Sequence, residues 1–353
     1  MHRLPIVGLA GVLLLTACSP EVKTTTSTPT SIVPITVETT TTVVIDDPVL
    51  SERAATYLEE ALGAMRQHSI NRDRVDWPVV EARAHRAADG AEASADTYLA
   101  IRVALSELRD RHSRFLTPQE AGDDFSGHAR YEEPTVEVRE GDLGYVSISG
   151  YTGDIGGQAD AYAMQLAQRI ASIEAQSCGW IVDLRHNIGG NMWPMIAGLG
   201  PILGSGTVGS FTYPDGRSEP WEISDGVSLW DGAPMVSNGM DGDAPAPRAT
   251  AVLIGGRTGS SGEAVTVAFH GAEEARFFGY PTAGLTTANE PVYLSDGAIL
   301  FLTMSVFTDR TGLEYGIGKR VAPDETIGSF RTADGGEVVA RAAEWLQTQP
   351  SCA

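Results

Sequence analysis

Lysine is almost missing from this chain: of 25 Lys and Arg residues only Lys23 and Lys319 are lysines. Set against 46 acidic residues, this leaves a formal net charge of -21. Such a charge repels a phosphate backbone and an anionic membrane surface, which argues against nucleic-acid binding. Cysteine is scarce as well. Three cysteines with no CxxC and no paired histidines do not make a metal site, and no metal or organic cofactor is expected. Cys178 and Cys352 form an even pair that could be a disulfide tying down the chain end. Long apolar runs are absent too: the one at residues 5–15 is too short to span a bilayer as a mature helix.

What is present at the N-terminus, MHRLPIVGLAGVLLLTACSP, has the layout of a signal peptide. Its Leu15-Thr16-Ala17-Cys18 resembles a bacterial lipobox, which would make Cys18 the lipidated first residue of the mature protein. A plain secretory signal is the alternative. Either way the expected location is the outer face of the cell membrane, or the periplasmic or extracellular side, where disulfides persist. Residues 19–46 form a Thr/Pro-rich tract of low complexity, expected as an extended linker.

Residues 47–118 carry three helical patterns. Ala54, Leu58, Ala61, Leu62 and Met65 share one face; Asp76 and Pro78 open a second helix that ends near Gly90; Ser94 starts a third with Tyr98, Ile101, Leu105 and Leu108 inward. They predict a small N-terminal helical domain. Over residues 119–349 the period changes. LGYVSISG reads as a strand, residues 158–175 as an amphipathic helix, GWIVDLR as a buried strand, and TAVLIGG as another that runs into a glycine-flanked serine turn and a helix. Strands alternating with helices indicate an α/β core. Residues 205–247, rich in Gly, Asp, Ser and Pro, read as hairpins and loops.

Chemistry could sit at three places. In RTGSSGEAVTVAFHG, Ser260 and Glu263 form S-x-x-E ahead of an apolar run, which is a capping box. Gly259 and Gly262 also permit a tight turn in which the Ser260 hydroxyl is exposed beside the free amides of a helix N-terminus. Both readings stay open at this point. The second place is DLRHNIGG, where a buried strand runs into Asn187, Gly189 and Gly190; a phosphate loop is the rival, but no Walker-type GK[ST] follows. The third is His112 in DRHS, expected at a helix C-terminus that would stabilise an imidazolium. Here His128, His186 and His270 remain rivals.

Taken in order, LRDRHS, GYVSISGY, VDLRHNIGG, GSSGEA, FFGYPTAG and the late VAPD resemble the tail-specific, or C-terminal processing, serine protease family. The resemblance runs over residues 47–324. It implies a crotonase/ClpP-like core of strand-turn-helix units with a helical N-terminal domain, a peptide or protein substrate, and no cofactor. By position, Ser260 matches the nucleophile, and Ser261 with Gly189 or Gly190 the oxyanion hole. In the common branch a lysine base follows G-x-P-T-x-G, whereas here Leu285 stands in that place. The remaining route is a histidine base, as in the tricorn-type branch, with His112 matched and Asp110 and Ser113 supporting it. In that branch a late glutamate, reached through a hydroxyl, orients this histidine; Glu314 is its nearest match here, and Asp309 the runner-up. The thirty-odd residues between Ser113 and Leu143 leave no room for a PDZ domain.

The resemblance therefore implies a lipid-anchored extracytoplasmic serine endopeptidase working through an acyl-enzyme. A non-catalytic binding module of the same fold, for apolar ligands or peptides, is the rival from another class. A crotonase-type acyl-CoA enzyme shares the oxyanion hole but fits poorly with export.

Overall fold

The computed structural model describes residues 47–124, 129–153, 156–240, 242, 247–272, 274–329 and 335–353. The expected leader, the expected lipidation site Cys18, the expected linker and His128 lie outside them. Three helices come first: α1 (Glu52–His68), α2 (Trp77–Ala87) and α3 (Tyr98–Glu107). Each begins where local chemistry dictates. Ser51 Oγ accepts from Ala54 N at the head of α1, and Asp76 accepts from Val79 N at the head of α2, with proline in its first turn. The expected apolar face of α1 is buried from Ala54 to Met65.

The chain then passes through β1 (Arg114–Leu116), α4 (Pro118–Asp124), β2 (Arg130–Tyr131), β3 (Thr135–Arg139), β4 (Leu143–Ser147), β5 (Tyr151–Thr152), α5 (Gly157–Glu174) and β6 (Gly179–Asp183). Next come α6 (Met192–Gly198), α7 (Gly200–Leu203), β7 (Gly206–Thr212), β8 (Ser218–Ser224), β9 (Val227–Trp230), β10 (Ala233–Ser237) and β11 (Thr250–Ile254). The last stretch holds α8 (Ser261–Phe269), β12 (Ala275–Gly279), β13 (Thr287–Tyr293), β14 (Ile299–Asp309), β15 (Glu314–Tyr315), β16 (Glu325–Thr326) and α9 (Gly336–Gln347).

Two large sheets result. One has the order β16-β12-β11-β6-β4-β3, parallel from β4 to β16 with β3 as an antiparallel edge. Its central strands β6 and β11 are buried at every residue, as a parallel sheet covered on both faces requires. The two-residue period sorts their side chains. Trp180, Val182, Val252 and Ile254 enter the main core, while Ile181, Ala251 and Leu253 meet Val338, Ala342 and Leu346 of α9 on the opposite face. Cys178 and Cys352 are joined as a disulfide beside this second layer.

The other sheet is antiparallel, ordered β1-β14-β7-β8-β9-β10, with β13 and β15 also on β14. The hairpins expected within residues 205–247 are its β7 to β10. The main core runs without a break from Leu58 and Ile101 of the N-terminal helices to Val252 and Leu302, and residues 47–353 form one compact unit. His112 also departs from its expected setting. The third helix ends at Glu107, and His112 lies in the turn that leads into β1, so it has no helix C-terminus behind it.

Candidate active site

Ser260 sits where β11 hands over to α8. Thr258 fixes this turn: its Oγ1 accepts from Gly255 N at 3.0 Å and donates to Leu184 O at 2.8 Å. Gly259 N donates to Asn187 O at 3.0 Å. Ser260 itself has φ 51° and ψ −120°, a conformation that costs a side-chain-bearing residue about 1–3 kcal/mol and persists only when its surroundings impose it. Only half of the capping box forms. Ser260 N donates to Glu263 Oε2 at 3.0 Å, whereas the serine side chain makes no capping hydrogen bond.

Glu263 explains how the strain is held. Its side chain is fully buried and accepts from Ser260 N, Thr282 Oγ1, Gly284 N and Leu285 N. Burial pushes this carboxyl above its ordinary pKa, against the pull of the four donors. One carboxylate thus ties the serine turn to the GYPTAGL segment, where Leu285 occupies the place of the common branch's lysine.

The glycine loop after β6 packs on the same turn. A Cβ built on Gly189 would lie 2.9 Å from Ser260 Cβ and 3.2 Å from Ser261 N, and its φ is 113°. Only glycine fits there. The Gly189 amide already donates to Asn187 Oδ1 at 3.1 Å. Among the described residues, no hydrogen bond is made by Gly190 N or Ser261 N. Ser261 Oγ donates to Gly190 O, which holds these two amides' residues together.

His112 is set by a second strained turn. Arg109 and Arg111 both adopt left-handed conformations, with φ 58° and 62°, around the buried Asp110. That carboxylate accepts from His112 N at 2.9 Å, Ser113 N at 2.7 Å and Ser113 Oγ at 2.6 Å. Asn289 Nδ2 donates to His112 O at 2.7 Å, and Thr303 N donates to Ser113 Oγ at 2.9 Å. The ring's Nδ1 is 2.8 Å from Thr287 Oγ1. Burial pulls the imidazole down to about 4, with Asp110 acting in the opposite direction and Arg114 in the same one. The ring is therefore neutral at pH 7, and a proton on Nδ1 donated to Thr287 leaves Nε2 with its lone pair.

The His112 and Ser260 turns are linked through one segment. Gly284 and Leu285 amides meet Glu263, and Thr287, two residues on, meets His112. No direct hydrogen bond joins Ser260 to His112; such bonds are often long before substrate binds. Glu314 is exposed on β15, where its backbone carbonyl accepts from Lys319 Nζ. Asp309 is engaged with Thr311, Leu313 and Tyr315. Neither acid meets His112; a threonine hydroxyl does. Thr287, Asn289 and Thr303 escape a reading of the sequence because each lies in a strand, far along the chain from DRHS and in no motif. Thr282 does stand in GYPTAGL, whose fourth residue could have been singled out.

Three comparisons bear on this geometry. A nisin-resistance protein of Lactococcus lactis subsp. lactis is 31% identical over 297 residues, 83% of this chain and 87% of the relative. A lipoprotein from Streptococcus agalactiae superposes with a TM-score of 0.68 at 23% identity, covering 86% of this chain and 99% of the other. The photosystem II D1 C-terminal processing protease superposes at 0.56 with 15% identity, covering 82% and 97%. Residues 142–327, from the start of β4 to just beyond β16 and including the Ser260 turn, match peptidase family S41, and with that match spanning over half its length the chain belongs to peptidase family S41.

Proposed function

We propose that this protein is a lipid-anchored, extracytoplasmic serine endopeptidase in which Ser260 is the nucleophile and His112 the general base. The observation that carries the reading is the Ser260 turn: a serine in a strained conformation, its hydroxyl unused as a cap, beside two undonated amides. Ser260 Oγ attacks the peptide carbonyl carbon while its proton passes to His112 Nε2. The carbonyl oxygen becomes an oxyanion facing Gly190 N and Ser261 N, each such donor contributing about 3 kcal/mol. The proton then moves from His112 to the leaving amine, the C–N bond breaks, and a water activated by the same imidazole releases the acid product. Thr287 keeps the ring in the required tautomer, the role an acid plays in other triads.

Anchoring through Cys18 and an outward location are supported by the lipobox-like LTAC and by the naming of one structural neighbour as a lipoprotein. The relative named for nisin resistance makes a peptide antibiotic a first substrate to try.

The test is labelling of the full chain with a fluorophosphonate probe, read by mass spectrometry against Ser260→Ala. Modification of Ser260 in the wild type and none in the variant is expected. A folded wild-type protein that stays unlabelled would remove Ser260 as the nucleophile and favour a binding module.

A further inference from the structure

Ile188 is 66% exposed although its chain neighbours Asn187 and Gly189 are buried. Arg185 and His186 form the turn that Asn187 N closes on Leu184 O at 2.9 Å, and just beyond it Ile188 is turned out while Asn187 and Gly189 are turned in. The loop has no freedom to roll the isoleucine under. Ile188 N donates to Ser149 O at 3.2 Å, Gly189 N to Asn187 Oδ1 at 3.1 Å, and Asn187 O accepts from Gly259 N at 3.0 Å. Isolated surface isoleucines are ordinary. This one lies two residues before Gly190, whose amide is undonated, and directly precedes the glycine that packs on Ser260 Cβ.

Leu285, half-buried, stands where the common branch has lysine, and its amide shares the Glu263 carboxylate with Ser260 N. A substrate side chain lying over the loop beside Ser260 would meet the aliphatic surface of Ile188.

We infer that Ile188 is a specificity-determining residue, and that the enzyme selects peptides with an aliphatic or aromatic side chain flanking the scissile bond. This rests on Ser260 being the nucleophile. Covering an exposed isoleucine with such a side chain removes apolar area from water on both partners, whereas an acidic or amide side chain set against Ile188 would lose water without gaining a hydrogen bond from it.

The experiment is digestion of a randomised peptide library by the full chain, with cleavage sites read by mass spectrometry, for wild type and Ile188→Asn. Fluorophosphonate labelling of Ser260 is measured in both. Expected is enrichment of aliphatic and aromatic residues at one position flanking the cut, an enrichment that falls about tenfold in the variant while its labelling rate is unchanged. Labelling with no enrichment, with enrichment that Ile188→Asn leaves intact, or with no library cleavage at all overturns the inference. Absence of labelling in the wild type would instead bring down the nucleophile assignment beneath it.

Discussion

At the scale of single residues, the site is governed by which hydrogen bonds are taken and which are left open. Ser260 and Gly190 matter because they keep free donors, and Glu263 because it has none to give. The imidazole of His112 makes the sharpest prediction. Its pKa is lowered by burial to about 4 from the ordinary 6.5, so with His112 as the proposed base the ring stays unprotonated well below neutrality, and kcat/KM should hold down to about pH 4 before falling. An acid limb near 6.5 would contradict the buried setting. The sign for stability follows from the same shift: the unfolded chain takes up this proton near pH 6.5 and the folded chain only near 4. The site's contribution to folding is therefore complete above pH 6.5 and is lost as the pH falls through about 4. Thr287→Val should lower kcat roughly tenfold with KM little changed, and Thr287→Ser should restore most of it; equal loss in both variants would mean the strand, not the hydroxyl, was damaged. His112→Ala should abolish turnover, while Lys319→Ala, at an exposed residue whose ammonium meets the Glu314 carbonyl and the Tyr315 ring, should leave most of it.

At the scale of elements, the β13–β14 hairpin is the bridge between the histidine turn and the rest of the site. Thr287 and Asn289 hold His112 from β13, and Thr303 holds Ser113 from β14. The far end of the hairpin is gripped by the helices: Asp296 accepts from Tyr57 at 2.7 Å and Tyr98 at 2.6 Å, and Glu60 accepts from Ser295 N and Oγ. Asp296→Ala should cost about 1–2 kcal/mol by leaving two tyrosine hydroxyls without their acceptor, seen as a fall in melting temperature. An unchanged melting temperature would show that the grip is dispensable. The glycine loop is less forgiving. A side chain on Gly190 would overlap the Tyr151 carbonyl, and its φ of 115° suits glycine alone. Gly190→Ala should lose both activity and thermal stability.

At the scale of the whole molecule, the parallel sheet is sandwiched between the main core and α9, and the Cys178–Cys352 bond fastens the chain end across 174 residues to the start of β6. Reduction, or Cys352→Ser, should lower stability by about 2–4 kcal/mol, measured as a shift of the urea midpoint. Activity at low denaturant should be retained, since no hydrogen bond of the site described above involves α9. A midpoint indifferent to reductant would mean the bond adds nothing to the fold.

Much of this was written in local pattern. The caps at Ser51 and Asp76, the all-apolar strands GWIVD and TAVLI, and the glycines around Ser260 each report on a few neighbouring residues, and so the helices, the parallel strands and the serine turn are legible in the sequence. The near-absence of lysine is equally legible, and by removing the usual base it points to His112. Three things are not local. Strands β7 to β10 join a second sheet because β7 pairs with β14, whose partner residues lie 94 to 100 positions downstream. The hydroxyl that meets His112 Nδ1 is that of Thr287, brought there because β13 pairs with β14, the strand that also receives β1. Which glycine amide is free depends on the Asn187 side chain turning back on Gly189. Sequence determined the residue types able to do the chemistry; long-range strand pairing decided which of them meet, since hydrogen-bond partners distant along the chain are chosen only when the sheets form.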